Sequence, residues 1–511
     1  MGILDWAIVL AYGLVVVGIG IVANRRQTST DEYFRGSRQL PWWAIGFSII
    51  ATSFSAAALL GGPGEGYNNG FLYLQLQLGD LLGYGLVIAL FLPFFIQLNL
   101  TTAYEYLEKR FDAKTRSFGS LCFLLFVIAR LGGLLYAASL VVATVTGLPL
   151  AWAILLVGIV SIAYTVAGGI AAVVWTDVLQ FAMIFVGLAA GIGAAVAGVE
   201  GGLGRLWQMA AEANKLAVVN LSWEPASIYS LPTALFAYGI LAFAVAGTNQ
   251  QSVQRYVSCD SVAAGQKAIL LGWFSGMVGV AGTLLLGVLL FGFYRINGGL
   301  PADTPGDGIL PHFIVNYVPP GASGILVAAI FAAAMSSIDS ALHALATCMT
   351  VDFYDRYFSP RNKPQNDPQT DPQTDPQDET RSLRVAQGLI IVWGIVGIIA
   401  AFYVANTGRN LLAFLIEYAP LSLGPLLGLF LMGVLIPRIN ATGAFYGTVA
   451  AIMLVIVGTQ TGWFTFPGIW RSAITAPLAV GLGWVISLLG DVPPARSTKG
   501  LTWREWGDRP H

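Results

Sequence analysis

The densest group of residues that could bind an ion lies in an apolar stretch that reads Phe331-Ala-Ala-Ala-Met-Ser-Ser-Ile-Asp-Ser340. Ser336, Asp339 and Ser340 recur at i, i+3 and i+4, which places their side chains on one face of a helix. Hydroxyl, carboxylate and carbonyl oxygens bind hard cations, whereas soft metals prefer Cys or His. The stretch therefore predicts a site for a hard cation. The alternative is that the serines bond to their own helix and Asp339 pairs with a buried base.

Four more charged residues lie in apolar stretches: Asp80, Arg130, Asp177 and Glu417. A charge in the hydrocarbon core of a bilayer is costly and is therefore a functional hypothesis by default. Asp80 follows Gln77 by three residues, so both lie on one helical face. Glu417 precedes Pro420, and two roles stay open for it, lining a pocket or capping a local helix break.

Two apolar stretches carry residues that interrupt helices. The first runs from Ala51 through Ser53, Phe54 and Ser55 to a Gly-Gly-Pro-Gly run at 61–64, and the second, at 231–251, contains Pro232, Gly247 and Asn249. Unwound backbone within a membrane is tolerated only where it lines a cavity or binds something. Such interrupted segments in two halves of a chain point to the substrate site of a secondary transporter.

The composition identifies the medium in which these residues lie. Of 511 residues, 56% are hydrophobic and only 10% are charged, against about 25% charged in soluble proteins. The chain is therefore predicted to be an integral membrane protein. Its net charge of −1 argues against nucleic-acid binding. The three cysteines show no metal-ligand or disulfide pattern, and no nucleophile–base pair indicates an enzyme.

Thirteen segments are long and apolar enough to be spans, at 3–23, 42–69, 71–98, 117–146, 150–167, 171–199, 231–251, 267–293, 323–349, 384–405, 410–434, 441–460 and 469–490. With the N-terminus outside, 20 of the 26 Lys and Arg residues lie on the inner side and five on the outer side, with Arg130 inside a helix. This asymmetry follows the positive-inside rule. A solvated inner linker is predicted at 366–380, which reads NDPQTDPQTDPQDET.

Several motifs resemble the sodium/solute symporter family over about residues 30–440, most closely its bacterial sialic acid and monocarboxylate members. They are Asp31-Glu-Tyr-Phe-Arg-Gly36, Thr102-Ala-Tyr-Glu-Tyr-Leu-Glu-Lys-Arg-Phe111, Val174-Trp-Thr-Asp177, Val253-Gln-Arg-Tyr256 and the run ending at Ser340. The resemblance implies an all-α membrane protein with a LeuT-like core of five plus five inverted helices. The expected regions are an extra N-terminal helix (1–25), two repeats (40–200 and 230–434, the second with a cytoplasmic loop at 360–383), two extra C-terminal helices (440–490) and a cytoplasmic tail (491–511).

The resemblance also implies ion sites. The main sodium site would use the carbonyls of Ala51, Phe54 and Ala333 and the hydroxyls of Ser336 and Ser337. A second site, as in bacterial sialic acid transporters, would use Ser336 with Asp177, Asp339 and Ser340. Asp339 replaces a serine there, which favours cation binding or admits a proton instead.

The positions aligned with the family's sugar site are Ala58, Gln77, Asp80, Ala242 and Val245, and only Gln77 keeps comparable hydrogen bonding. A glucose-type sugar is therefore disfavoured. Arg130 resembles the carboxylate-binding arginine of sialic acid transporters, and the further substrate-binding candidates are Ser53, Ser55, Tyr73, Gln77 and Asp80. If Asp80 pairs with Arg130, the arginine is structural. If they stay apart, the two charges describe a zwitterionic solute.

Together these features predict a Na⁺-coupled symporter in the inner (plasma) membrane that moves a small anionic or zwitterionic solute by alternating access. Sialic acid, a monocarboxylate or an amino acid would fit that description. The expected partners are this solute, one or two Na⁺ ions and the lipid bilayer, and the protein is expected to act as a monomer. The alternatives are a Na⁺/sugar symporter or, from another class, a channel or a transport-fold sensor.

Overall fold

The computed structural model of this protein describes residues 2–24, 29–358, 376–407 and 411–508. Every regular element in these ranges is a helix. The repetitive segment from Asn366 to Asp375 and the side chain of Glu417 lie outside the described part, so both interpretations stay predictions.

Helices of very different lengths build the bundle. The first half of the chain forms α1 (Ile3–Asn24), α2 (Thr30–Arg35), α3 (Trp42–Ser53), α4 (Ala56–Asn69), α5 (Gln77–Leu86), α6 (Leu92–Gln97), α7 (Glu105–Arg110), α8 (Ala113–Thr146), α9 (Leu150–Ala167), α10 (Ile170–Ala197) and α11 (Gly202–Glu212). The second half forms α12 (Gly239–Thr248), α13 (Gln250–Val257), α14 (Val262–Ile296), α15 (Ile309–Asn316), α16 (Ala322–Cys348), α17 (Pro376–Thr407), α18 (Leu411–Leu435), α19 (Ala441–Gln460) and α20 (Trp470–Leu488). Wider π-helical turns at Val87–Phe91, Thr233–Tyr238 and Met349–Phe358 and a 3₁₀ segment at Leu72–Leu76 join some of them.

The lengths of the apolar helices agree with a membrane protein. In the described ranges nine helices are long and apolar enough to cross a bilayer, and α3 with α4 adds a tenth if the bent pair is one span. Three shorter apolar helices occupy Leu150–Val166, Thr233–Thr248 and Leu421–Leu435. The total of thirteen spans remains a prediction. The predicted loop at 360–383 ends early, because α17 begins at Pro376, a residue that the first turn of a helix accommodates.

The second predicted span breaks between α3 and α4, which are bent by 67°. The amide of Ser55 donates to the Ser53 carbonyl at 3.1 Å, and this leaves the carbonyl of Ala51 without its usual i+4 donor. The expectation that the Gly-Gly-Pro-Gly run at 61–64 unwinds is wrong, because α4 continues through it. Its glycines serve close packing instead, since a Cβ at Gly62 would collide with Thr283 of α14.

The seventh predicted span is interrupted at Asn249. This residue has extended backbone (ψ 122°) between α12 and α13, and its Oδ1 accepts a hydrogen bond from the amide of Gln251 at 2.9 Å. Gln251 and Ser252 therefore lie in the first turn of a new helix, and both line a cavity that also reaches Phe54 at the break in the second span.

The N-terminal helix is fastened to α16. Asp5 is buried, and its Oδ1 accepts from the amides of Gly321 (2.7 Å) and Gly324 (2.9 Å) and from the hydroxyl of Ser323 (2.7 Å). A carboxylate that accepts bonds from the free amides at a helix N-terminus also meets the positive end of the helix dipole. Thus α1 supplies the N-terminal cap that α16 lacks in its own sequence.

One end of the bundle is rich in arginine, and a partly buried network of ion pairs links its helices. Asp352 accepts from Nε and Nη2 of Arg116, each at 2.8 Å, and from the Ser120 hydroxyl at 2.9 Å. Arg116 also pairs with Glu108 at 2.8 Å, and Glu108 pairs with Arg356 at 2.8 Å. This arginine-rich end is thereby tied together from α7, α8 and the π-helical extension of α16.

Candidate cation site and solute cavity

The break after α3 brings backbone carbonyls against the serine-rich face of α16. The hydroxyl of Ser336 donates to the carbonyls of Ala51 (2.8 Å) and Ala333 (3.1 Å), and that of Ser337 donates to the carbonyl of Thr52 (3.0 Å). Both serines are fully buried. The cluster presents five neutral oxygens in one place, a donor set that suits a hard monovalent cation.

Four of the five residues predicted for the main sodium site take part in this cluster. Phe54, the fifth, is buried and caps α3 with non-helical backbone (φ −87°, ψ 77°) next to it. The carbonyl of Thr52 was not among the predicted ligands. Its involvement follows from the position of the break, which the residue pattern locates only to within a few residues.

Two of the residues predicted for a second site are bridged by an arginine. Nη2 of Arg255 donates to Oδ2 of Asp177 (2.8 Å) and to the hydroxyl of Ser340 (2.6 Å). Ser340 in turn donates to the carbonyl of Ser336 at 2.7 Å. The prediction of topology placed Arg255 among the 20 basic residues on the inner side, in a loop, but the residue is only 1% exposed. A buried carboxylate next to a guanidinium is already charge-compensated on that side.

The third predicted residue of that site, Asp339, faces a different helix. Its Oδ1 accepts hydrogen bonds from the hydroxyls of Tyr164 and Thr165 on α9, the latter at 3.3 Å. Asp339 is 1% exposed, and no ion pair in the described ranges includes it. The alternative that Asp339 pairs with a buried base is therefore not observed among the described residues.

Polar atoms without partners lie beside the two carboxylates. Oδ1 of Asp177 is buried and makes no hydrogen bond, and the buried side chains of Gln180 and Tyr12 have no partner other than each other. Tyr12 lies near both Asp177 and Asp339. Buried polar groups without partners are rare, so Oδ1 of Asp177 marks this position between α1, α10 and α16 as a candidate for binding a cation or a proton.

A cavity of about 300 Å³ lies beside the break in α3, at the lower end of the range for small-molecule sites. Helices α3, α4, α5, α8, α12, α13 and α14 contribute to its wall. Its polar and aromatic lining consists of Thr52, Ser53, Phe54, Tyr73, Gln77, Asp80, Tyr84, Phe126, Arg130, Tyr238, Asn249, Gln251, Ser252 and Trp273. All five positions aligned with the sugar site, including Ala58, Ala242 and Val245, lie on its wall.

Arg130 reaches the cavity from α8. Its Nη1 donates to Oε1 of Gln251 at 3.1 Å, and Nη2 lies 3.5 Å from the carbonyl of Thr52. Both partners are neutral. Asp80 lies on the same cavity wall, yet no ion pair among the described residues includes Asp80 or Arg130. The structure thus keeps the two charges apart, as one of the two alternatives required.

Most of the predicted solute contacts come together, with one exception. Ser53, Tyr73, Gln77, Asp80 and Arg130 line the cavity. Ser55 does not, because it is buried at the start of α4. Sequence reasoning missed the aromatic side chains Tyr84, Tyr238 and Trp273. A signal for Tyr84 was present, since residues 73, 77, 80 and 84 form one helical stripe.

Comparison with known proteins identifies relatives of this chain in sequence and in fold. The chain is 32% identical over 464 residues to the sodium/sialic acid symporter of Aliivibrio fischeri, covering 89% of this chain and 87% of that one. It superposes with a TM-score of 0.84 and 29% identity on a solved Na⁺-coupled sialic acid symporter in a substrate-bound outward-open state, covering 96% and 99% of the two chains. A nucleobase-cation-symport-1 family transporter shares the fold at a TM-score of 0.55 and 12% identity, over 91% and 94% of the chains.

The fold prediction is confirmed at the level of its class, an all-α LeuT-like transporter. The motif resemblance over about residues 30–440 is confirmed as well, because the model of the sodium:solute symporter family matches residues 33–451. By its sequence and its fold, the chain belongs to the sodium:solute symporter family.

Proposed function

We propose that this protein is a secondary active transporter that couples the inward movement of Na⁺ to that of a small organic solute carrying a carboxylate. One observation carries the proposal: the carbonyl of Thr52 accepts from Ser337 of the cation cluster at 3.0 Å and lies 3.5 Å from Arg130 of the cavity. A single backbone group thus connects the two sites. An ion that draws α3 and α16 together also positions Arg130 for the solute.

In the proposed alternating-access cycle, Na⁺ favours the solute-binding shape of the cavity. It binds at Ala51, Phe54, Ala333, Ser336 and Ser337. Coupling is then the difference in Na⁺ affinity between the outward and inward states. One Na⁺ moving down about 100 mV and a tenfold gradient releases about 3.7 kcal/mol. That energy concentrates a solute of zero net charge roughly five-hundredfold.

We place the protein in the inner (plasma) membrane. The proposed orientation has the N-terminus outside the cell and the arginine-rich end in the cytoplasm. The distribution of basic residues supports it. The ionic network of Glu108, Arg116, Asp352 and Arg356 would then close the cytoplasmic side. Residues 40–200 and 230–434 act as the two inverted repeats, and one chain is sufficient for transport.

The second cation position is proposed in a modified form. The guanidinium of Arg255 lies between Asp177 and Ser340, so a cation there meets positive charge. The side of Asp177 on which its Oδ1 lacks a hydrogen-bond partner is favourable instead. Asp339 supplies the second carboxylate nearby, and a proton can take the place of Na⁺ at these groups.

Similarity to sialic acid symporters makes sialic acid the first solute to test, followed by a short monocarboxylate and an amino acid. The test is uptake into proteoliposomes with sodium inside or outside at equal ionic strength, with proline, glucose and iodide in the panel. Saturable uptake that requires an inward Na⁺ gradient supports the proposal. Uptake that is equally fast in K⁺, or simultaneous access to Ser53 from both sides in cysteine labelling, would indicate a channel.

A further inference from the structure

A carboxylate without a cationic partner occupies one wall of the solute cavity. Asp80 lies in the first turn of α5, and its interacting neighbour on the same stripe is the amide of Gln77. Asp80 is partly exposed and lines the cavity. A charge in such a position requires a compensating partner. Among the described side chains no Lys, Arg or His lies within ion-pair distance.

The surroundings of Asp80 are aromatic. Tyr73 and Tyr84 lie on its own stripe, Tyr238 faces it from the π-helical turn before α12, and Trp273 adds a ring from α14. All three tyrosines line the same cavity as Asp80. Aromatic faces attract cations through the ring quadrupole, most strongly alkylated ammonium groups that are partly desolvated. A carboxylate among such rings is therefore a subsite for an organic cation.

Close backbone packing holds this subsite in shape. A Cβ at Gly79 would collide with the carbonyl of Ala234, and one at Gly83 would lie 2.6 Å from the amide of Phe243. Both glycines flank Asp80 on α5 and let this helix approach the elements that carry Tyr238. Because the helices meet through backbone, the distance between Asp80 and the tyrosine is fixed by the fold.

Arg130 provides the opposite charge on the same cavity. Its guanidinium is bonded to neutral groups of Gln251 and Thr52, and its fork of donors suits a carboxylate. We infer that the solute is a zwitterion, whose carboxylate binds Arg130 and whose ammonium group binds Asp80 within the ring of tyrosines. This inference rests on the proposed transport function and narrows its substrate class.

Isosteric pairs test the inference directly. Glycine betaine and 3,3-dimethylbutanoate differ by the positive charge alone, and so, closely, do proline and cyclopentanecarboxylate. Each compound is scored by the rise in melting temperature of the purified protein in Na⁺ and by inhibition of Na⁺-driven uptake. In at least one pair the zwitterion is expected to bind at least tenfold more tightly than its anionic isostere.

Asp80→Asn should reduce that preference to less than threefold, and Asp80→Glu should restore part of it. Asp303→Asn, which removes an exposed carboxylate that does not line the cavity, should leave the preference unchanged. Stabilisation by Na⁺ alone serves as the folding check for each variant. If Asp80→Asn does not fold, the comparison of isosteres in the wild-type protein decides by itself.

The outcomes separate this inference from the transport proposal. Equal binding of both members in every pair, with Na⁺ stabilisation and Na⁺-driven uptake of an acid intact, overturns the zwitterion and leaves the symporter. A preference for the zwitterion that persists in Asp80→Asn overturns the role of Asp80. Loss of every Na⁺ effect in the wild-type protein overturns the transport proposal and the inference with it.

Discussion

Replacing Ser337 with alanine removes one oxygen from the cation cluster with little change in volume. The side chain is fully buried, and its hydroxyl donates to the carbonyl of Thr52 at 3.0 Å. A hydrogen-bonding group that interacts with a charge is worth about 1.5–3 kcal/mol. Loss of that amount weakens Na⁺ binding roughly tenfold to 150-fold.

The unfolding free energy measures this loss without any knowledge of the solute. At a Na⁺ concentration about 100 times the dissociation constant, bound Na⁺ stabilises the wild-type protein by about 2.7 kcal/mol. If the dissociation constant rises about a hundredfold, the same concentration stabilises the variant by only about 0.4 kcal/mol. The measurement is thermal or denaturant unfolding in NaCl against choline chloride at equal ionic strength.

Ser139→Ala is the matched control. Ser139 is also a fully buried serine, but its hydroxyl donates to the carbonyl of Leu135 within α8 at 2.6 Å. Its removal should lower stability equally in both salts. A Ser337→Ala protein that gains as much stability from Na⁺ as the wild type would refute the cation cluster.

Three further outcomes are expected. Arg130→Ala should raise the half-saturating concentration of the transported acid at least tenfold without changing the stabilisation by Na⁺. Arg130→Lys should recover only part of the loss, because lysine lacks the planar fork of donors. Unchanged uptake kinetics would contradict this role of Arg130. Gly287→Ala should reduce the yield of folded protein, because a Cβ at this position collides with the carbonyl of Pro63 and overpacking costs about 1–3 kcal/mol. A melting temperature equal to that of the wild type would contradict this prediction. Burial acts to raise the pKa of Glu108, but hydrogen bonds from Arg116 and Arg356 outweigh burial and hold the pKa below its ordinary value of 4.5. The stabilisation by the Glu108 carboxylate is therefore present above pH 4.5 and is lost as the pH falls through the lowered pKa. The destabilisation caused by Glu108→Gln should accordingly be constant from about pH 6 to 8 and become smaller in acid.

Local patterns predicted the parts of this fold that depend on local physics. Hydropathy located the apolar helices, and the i, i+4 spacing of Ser336 and Ser340 identified the face of α16 that meets α3, whereas Asp339 at i+3 faces α9. Polar residues in the middle of an apolar stretch signalled the break near Phe54. The Gly-Gly-Pro-Gly run misled for a physical reason: a glycine in a membrane helix serves close packing as readily as unwinding, and Gly62 is used for packing against α14.

Pairings between distant residues could not be predicted in the same way. Arg255 belongs to a short helix with other polar residues and looks like part of a loop, yet it turns inward and bonds Asp177, 78 positions away. Similarly, the separation of Asp80 from Arg130 depends on how α5 and α8 lie across the cavity. Each alternative was chemically reasonable, and only the packing of the helices decides between them.

The attachment of Asp5 to the start of α16 has a mechanical consequence. Three hydrogen bonds join the first turn of α1 to the helix that carries Ser336 and Ser337, so any displacement of α16 during transport drags α1 along. The N-terminus is thus attached to the helix that carries the cation cluster, and a fluorescent label at residue 2 would report any movement of that helix from a position outside the solute cavity.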